Sequence, residues 1–441
     1  MSAFAQYEAR KARLAARPAA AGLRKRTSSN LFRYAPRAAR RGGLDLSDFR
    51  NVLAVDRERR VLEAEGLATY ETIVGHTLPL GLAPLVTPEL KHITIGGATV
   101  GIGIESNCFR HGFVHDGLLE AEVLLADGRI VTCTADNEYA DLFRALPNSY
   151  GTLGYILRAR VRLMPAAPYV RLATTAYADL ERWLEAMRAA AERPEVDFIE
   201  GLVFEPGRMF LTLSRFAETA PRVEDIVRGT PFYRLIAREG EIHLATADYL
   251  FRYDPDWFWN LPESGFYRLF RRYAPARLRN SGFYKRYIGW KHRLLARLPW
   301  RLPDDEEPLI QDWEVPWERA PELMRYALAE VDLGGKPWIV TPIRAPAAPT
   351  LYPVRPGALY FNLGCYCQVK RRPEKGDYHY TKIMDRKCFD LGGIKMLYSS
   401  SFLDGPEFDR LYNGAAYRAL KEKYDPQGML GTLYEKCVLG R

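Results

Sequence analysis

The chain has 441 residues, a net charge of +9, and 47% hydrophobic against 27% charged residues. This describes a soluble globular protein too long for one ordinary core, so two domains, or one with a large insertion, are expected. No run of 18 or more apolar residues suggests a membrane span, and the basic start MSAFAQYEARKARLAARPAAAG lacks the apolar centre of a secretory signal, so export is not expected. The six cysteines are scattered, with one close pair, Cys365 and Cys367, at CxC spacing. They read as reduced thiols of a cytoplasmic protein, with no second pair at zinc-ligand spacing and no metal. The arginine-heavy basic set fits a GC-rich bacterial genome.

Residues 1–23 read as a flexible, loosely helical arm. From Leu44, NVLAVD and RRVLEAEGLATYETIVGHTLPLGLAP read as strand, turn, strand and short helix. The glycine-rich stretch TIGGATVGIGIESNCFRHG (94–112) follows, read as running on from a β-like segment. LEAEVLLAD and RIVTCTA form a hairpin over Asp127-Gly128, EYADLFRAL a helix, NSYGTLGY a loop and ILRARVRLMP a half-buried strand. Beyond Tyr169, ADLERWLEAMRAAAER is an amphipathic helix and DFIEGLVFEPGRMFLTLSRF a hairpin over Pro206-Gly207. After a basic aromatic segment and the acidic PDDEEP come LIQDWEVP, the helix WERAPELMRYALAEV, the strands PWIVTPIRA and ALYFNLGCYCQ, and a helical C-terminal region.

Glycines let backbone N–H groups approach a phosphate with no Cβ in the way. Gly96, Gly97, Gly101 and Gly103, with the Ser106 hydroxyl, suit a pyrophosphate, although a tight connection in a β-rich domain also uses such glycines. The second loop, Asn148 to Gly154, sits fifty residues on between a helix and a strand, and the two loops together favour a ligand.

The runs VLAVDRERRVLEAEGLATYETIV, TIGGATVGIGIESNCFRHGFVHDG, AEVLLADGRIVTCT and DLFRALPNSYGTLGYILRARVRLMP resemble the PCMH-type FAD-binding domain of the vanillyl-alcohol oxidase superfamily. GIES, LADG, LFRALPNSYGTLG, FIEGL, QDWEVP and MLYSSSF are similar to its desmosterol (Δ24-sterol) reductase branch, and the likeness runs from about Leu44 to Cys437. It implies an α+β fold: an FAD-binding domain of two α+β subdomains (24–167), an inserted α+β substrate or cap domain (168–412) and a C-terminal segment (413–441) returning to the FAD domain. It also implies FAD lined by Gly96, Gly97, Gly101, Gly103, Ser106 and Gly112, with Tyr150, Gly151 and Gly154 opposite. The first phosphate loop departs from the family's pattern. Here it is RKRTSSNLFRYAPRAARRGG, where Thr27, Ser28 and Ser29 offer hydroxyls, and no histidine matches the covalent flavin attachment of some relatives. Noncovalent FAD is therefore expected.

A flavin performs the two-electron step, and the protein supplies orientation, an acid or base, and a dry chamber. For an isolated alkene the acid expected is Tyr398, with Tyr434 or Lys436 of the tail as second choices. His379 reads as a solvated loop residue, and Glu200 is as readily a salt-bridged structural carboxylate as a site residue. NADPH is a candidate electron donor, although no second nucleotide motif is visible.

The segment 266–301 holds eleven Lys or Arg and no Asp or Glu. Phe283, Tyr287, Trp290, Leu294 and Leu298 form a helical stripe among these cations, as an interfacial helix on an anionic membrane needs. A cap-domain helix with its stripe buried is the alternative, and nucleic acid is not expected. The reading is a cytoplasmic FAD oxidoreductase, peripheral at the membrane inner face, reducing a methylene or alkene of a fatty acyl chain. A desaturase of a methylated acyl chain, an alditol or lactone oxidase, and a non-catalytic lipid-surface binder stay open as alternatives. Direction, exact lipid and oligomeric state are not specified by the sequence.

Overall fold

The computed structural model describes residues 2–15, 23–24, 44–260, 264–295 and 306–440. Thr27, Ser28 and Ser29 of the expected phosphate loop, and Leu298 of the aromatic stripe, lie outside the described residues.

The alternating segments of the N-terminal half pair as antiparallel strands: β1 (Val52–Asp56), β2 (Val61–Glu65), β3 (Leu82–Pro84), β4 (Leu118–Leu124), β5 (Ile130–Cys133) and β6 (Tyr155–Pro165). They form one sheet of order β1-β2-β6-β4-β5, with β3 on the far end of β6. Helices Tyr70–Thr77 and Ile95–Val100 bury Ile73, Val74, Ile95 and Ala98 in the main core. In the stretch read as an arm, the helix Ala3–Ala15 is docked through Tyr7, fully buried with Phe49, Leu53 and Leu157. Its Arg10 pairs with Glu65, and Lys11 with Glu122.

The glycine stretch differs from its expected form. No strand leads into it; Thr94 caps the helix Ile95–Val100 by accepting from Gly97 N, so Gly96 and Gly97 occupy a first helical turn. A threonine at the N-cap satisfies an orphan helix donor, and that local gain decides the conformation.

The second sheet comprises β7 (Tyr169–Tyr177), β8 (Phe198–Glu205), β9 (Arg208–Ala217), β10 (Gly240–Ala245), β11 (Glu306–Pro316), β12 (Trp338–Arg344), β13 (Leu359–Lys370) and β14 (Ile394–Lys395), in the order β10-β7-β9-β8-β12-β13-β11-β14. Its register separates two kinds of row. Leu211, Gly201, Val340, Leu363 and Trp313 are successive cross-strand partners. This row is covered by helices: a Cβ on Gly201 would meet the Trp183 ring and Met187 of helix Leu180–Ala190, and Trp313 Nε1 donates to Asp385 of helix His379–Asp390 at 2.8 Å. One residue along every strand lies the opposite face, and its row is polar. Thr174 pairs with Thr212 and Thr212 with Glu200; the Gly201–Val340 register sets Glu200 opposite Thr341; Thr341 pairs with Asn362 and Asn362 with Glu314. All six are buried. A polar row at buried positions departs from the solvent-facing alternation of an ordinary antiparallel sheet.

Candidate functional site

This polar face turns toward the loops of the first sheet, and one cation joins the two. Arg252, wholly buried, sends Nη1 and Nη2 to the two oxygens of Glu105, both at 2.7 Å, and Nε and Nη2 to Glu200 at 2.9 and 2.6 Å. Glu89 stands 3.5 Å away, Ser106 Oγ accepts from Nη2 at 3.3 Å, and the Tyr253 hydroxyl donates to Glu200. Burial opposes the guanidinium's charge, but Glu105 and Glu200 hold its pKa well above the usual arginine value. Glu89, facing burial and the nearby Glu105 charge, is pushed well above the carboxylate range. Glu200 is thus bound on the site-facing side, where it anchors Arg252.

Further along the same face, Asp312 Oδ2 accepts from the hydroxyls of Tyr366 at 2.5 Å and Tyr398 at 2.6 Å, and Oδ1 from Asn362 at 3.0 Å. Burial raises its pKa, and these three donors hold it back in part. Burial and the Asp312 charge push both phenols well up. The Tyr366 ring stacks on Phe258 (4.0 Å, 11°), which stacks on Tyr253 (5.0 Å, 15°). Glu314, two residues from Asp312, is wholly buried; neither oxygen has a hydrogen bond of standard geometry, although the Tyr352 hydroxyl approaches it. Burial, reinforced by Asp312, raises it well above the carboxylate range.

The two expected loops meet. Tyr150 N donates to Val100 O at 3.0 Å, and the Tyr150 hydroxyl to Gly101 O at 3.1 Å. The tail reaches the same place: Lys436 Nζ donates to Tyr150 O, Tyr417 to Thr152 Oγ1 at 2.9 Å and Lys421 Nζ to Thr152 O at 3.0 Å. The glycines do different jobs. Gly96 lets a helix meet a strand connection backbone to backbone, since a Cβ there would lie 2.7 Å from Gly66 O. Gly103 leaves no space against Val114, and Gly154 none against Val123. Gly112 and Gly151 adopt positive φ, 71° and 76°. Gly97 is exposed, and Gly101 and Gly103 half-buried, leaving a strip of accessible backbone. Ser106 is buried at the Arg252 cluster, Tyr398 belongs to the Asp312 group, and the Tyr434 hydroxyl donates to Leu403 O at 3.2 Å. His379 begins a helix and stacks edge-on with Tyr380.

The surroundings suit a large polar guest. Thr87 Oγ1, His92 Nδ1, Asn107 Oδ1 and both His115 nitrogens are buried without hydrogen-bond partners beside the first loop, as is Asn148 Oδ1 in the second. Buried polar atoms are ordinarily satisfied, so such a cluster signals an absent partner with donors and acceptors. Burial lowers His115 to about 3, so it offers a neutral imidazole. Among the described residues, no group of three or more His, Cys, Asp or Glu is placed to hold a metal.

Residues 28–134 match the FAD binding domain family. The Δ24-sterol reductase of Pisum sativum is 25% identical over 465 residues, covering 91% of this chain and 77% of that protein. The Homo sapiens Δ24-sterol reductase is 25% identical over 413 residues, covering 89% and 77%. Cytokinin dehydrogenase 7 of Oryza sativa subsp. japonica is 34% identical over 146 residues, 32% of this chain and 28% of that protein. The chain is an FAD-dependent oxidoreductase, similar over most of its length to Δ24-sterol reductases.

The α+β fold and an FAD-binding domain in the N-terminal part of the chain are as the sequence reads. What sequence reasoning missed is the wall facing that site: Asp312, Glu314 and Asn362, and the arginine hub. QDWEVP marks the branch, and its two acids share one face of the strand Glu306–Pro316. FRYDPDWFWN (251–260) carried a further unused signal, a charged and aromatic run that the structure buries almost entirely.

Proposed function

We propose that this flavoprotein reduces an isolated carbon–carbon double bond in the hydrophobic chain of a membrane lipid, with an acyl-chain methylene or alkene preferred. The observation that carries the reading is the polar face of the second sheet. It sets a buried acidic pair, Asp312 and Glu314, beside the stacked rings of Tyr366 and Phe258, within a region over which the chain aligns with named sterol C=C reductases. FAD, bound noncovalently, supplies the hydride. The residues that would hold it are Gly97, Gly101, Gly103 and Gly112 with Ser106, and Tyr150, Gly151 and Gly154 across from them. The protein orients the alkene, excludes water and faces developing positive charge with aromatic rings. Asp312 fixes the Tyr398 phenol in place, Lys436 ties the tail to the second loop, and Tyr434 ties it to Leu403.

NADPH is the proposed electron donor, entering before the lipid, and an anionic membrane surface the proposed partner through 266–301. No helix among the described residues is long and apolar enough to cross a membrane. The exposed rings and chains of Phe266, Leu269, Tyr273, Tyr287 and Trp290 support surface docking at the cytoplasmic face, among arginines with no acidic neighbour in the segment.

Purified protein, stripped of FAD by denaturation and reloaded, is reduced anaerobically and then offered a phospholipid bearing an acyl methylene, a sterol with a side-chain alkene, or O2. Rapid reoxidation by the first supports the proposal, and preference for the sterol moves the substrate class. Reduction of the oxidised enzyme by a saturated methyl-branched lipid reverses the direction. Fast reaction with O2 alone indicates an oxidase, and failure to retain FAD leaves a lipid-binding protein.

A further inference from the structure

The polar row ends at Glu314, and it ends unlike its other charged member. Glu200 is saturated by Arg252 and Tyr253, whereas Glu314 is wholly buried with both oxygens lacking a standard hydrogen bond and no cation paired to it among the described residues. A buried ionised carboxylate with no counter-charge is untenable, so this group keeps its proton. Asp312 lies two residues away on the same face, about 7 Å along the strand. It is surrounded by three donors, Tyr366, Tyr398 and Asn362, an environment for the anion. Burial pushes both carboxyl groups up, but only Asp312 has donors that oppose it, so the two surroundings differ in the way from which acid and base roles are read. Tyr398 directs its own proton to Asp312, so it is a weaker source of a proton for a third party.

We propose that Glu314 is the acid that protonates the substrate alkene, with Asp312, Tyr366 and Tyr398 acting as a positioning group that keeps Glu314 protonated. This rests on the alkene-reductase reading above. The Glu314 O–H bond breaks and its proton forms a C–H bond with the alkene π pair. The other alkene carbon, left electron-deficient, takes a hydride whose source by class is a reduced flavin. Glu314 is left as a carboxylate beside Asp312, and that repulsion drives proton uptake from solvent before the next turnover. Net, one alkene gains a hydride and a proton, and one dihydroflavin is oxidised.

The test uses the full-length holoenzyme and its Glu314→Gln and Glu314→Asp variants. Infrared difference spectra in H2O and D2O at pH 8 are expected to show a protonated-carboxyl C=O band in the wild type, lost in Glu314→Gln and shifted in Glu314→Asp. FAD content and the rate of flavin reduction by dithionite are expected to stay at wild-type values, while reoxidation by the lipid alkene slows about a hundredfold or more in Glu314→Gln and less in Glu314→Asp. A wild-type spectrum that loses no C=O band in Glu314→Gln, or reoxidation within a fewfold of wild type, overturns the proposal. If the reduced wild type is itself not reoxidised by any lipid alkene, the substrate reading has failed and the acid role falls with it. If the wild type turns over and Glu314→Gln matches it, only the acid role has failed.

Discussion

A side chain at Gly97 would meet only the Thr94 hydroxyl of its own cap, 2.9 Å away, whereas at Gly96 or Gly103 it would strike a neighbouring segment. Gly97 therefore separates ligand from packing. Gly97→Asp places a carboxylate on the accessible strip proposed for the pyrophosphate, at a stability cost near that of a lost cap, about 1 kcal/mol. The expected result is loss of the flavin's visible bands after gel filtration with a small drop in melting temperature; undiminished FAD would put the diphosphate elsewhere. Asp116 gives a second test at this scale. Burial raises its carboxyl from 3.8 to about 7, while Phe113 N donates to it. A folded pKa above the unfolded one gives stability that is full below the unfolded value and lost as pH rises through the folded one. Asp116 thus contributes stability below about pH 4 that fades up to about pH 7. Asp116→Asn keeps an acceptor for Phe113 N and removes that titration. Its unfolding free energy should fall less steeply than wild type between pH 4 and 7, by denaturant melts across that range. An unchanged slope would mean that Asp116 is hydrated.

Among helices, the segment that answers to membrane binding is not quite the one the stripe suggests. Phe283 is half-buried and the neighbouring Tyr284 buried, so the stripe's first turn packs into the protein, while Tyr287 and Trp290 stay exposed. The helix Gly265–Tyr273 presents Phe266, Leu269 and Tyr273 at i, i+3 and i+7, with exposures of 78, 59 and 70%. Replacing these three by serine should weaken sedimentation with anionic vesicles at least tenfold, weaken any binding to neutral vesicles as well, and leave soluble turnover of a short-chain alkene unchanged. Retention of vesicle binding would leave the arginines, or another surface, as the docking element. The same comparison shows what was legible. Strand alternation and turn residues placed β1, β2, β4 to β6, β8 and β9, because a pleat of period two leaves its mark on each short segment. The wall of the site was less legible, because its rows arise from register between strands as far apart in sequence as Gly201 and Val340; no local pattern encodes Glu200 opposite Thr341. QDWEVP reads as an ordinary alternating strand, and only sheet position makes its polar side an interior one. The helix over Gly96 and Gly97 was missed because two glycines argue against helix, and the Thr94 cap outweighed them.

At the scale of the whole molecule, the two sheets are held in register by Arg252 between Glu105 of the first module and Glu200 of the second. Neutral alternatives could fill that space, and buried ion pairs are often no more stabilising than apolar packing, so the arrangement argues for precise placement of the polar row above the loop at Ser106. Removing one partner is a different matter. Arg252→Met leaves three carboxyl groups, Glu89, Glu105 and Glu200, in a dry interface with no cation, at a cost of about 3 to 5 kcal/mol near neutral pH. Glu89 and Glu200 already sit above their ordinary range through burial, and loss of the guanidinium raises them further. Raised folded values mean that stability returns as pH falls toward the unfolded pKa and is lost as it rises, so the variant's deficit should be largest at pH 8 and shrink by pH 5.5. Adding Glu105→Gln and Glu200→Gln should recover most of the deficit at pH 8 without restoring wild-type FAD affinity, because the charge is relieved while the bidentate clamp is not rebuilt. Denaturant melts and FAD titrations on the three proteins read these two effects separately; equal deficits at both pH values would mean that solvent reaches the carboxylates and that the modules are held together by the apolar core around them.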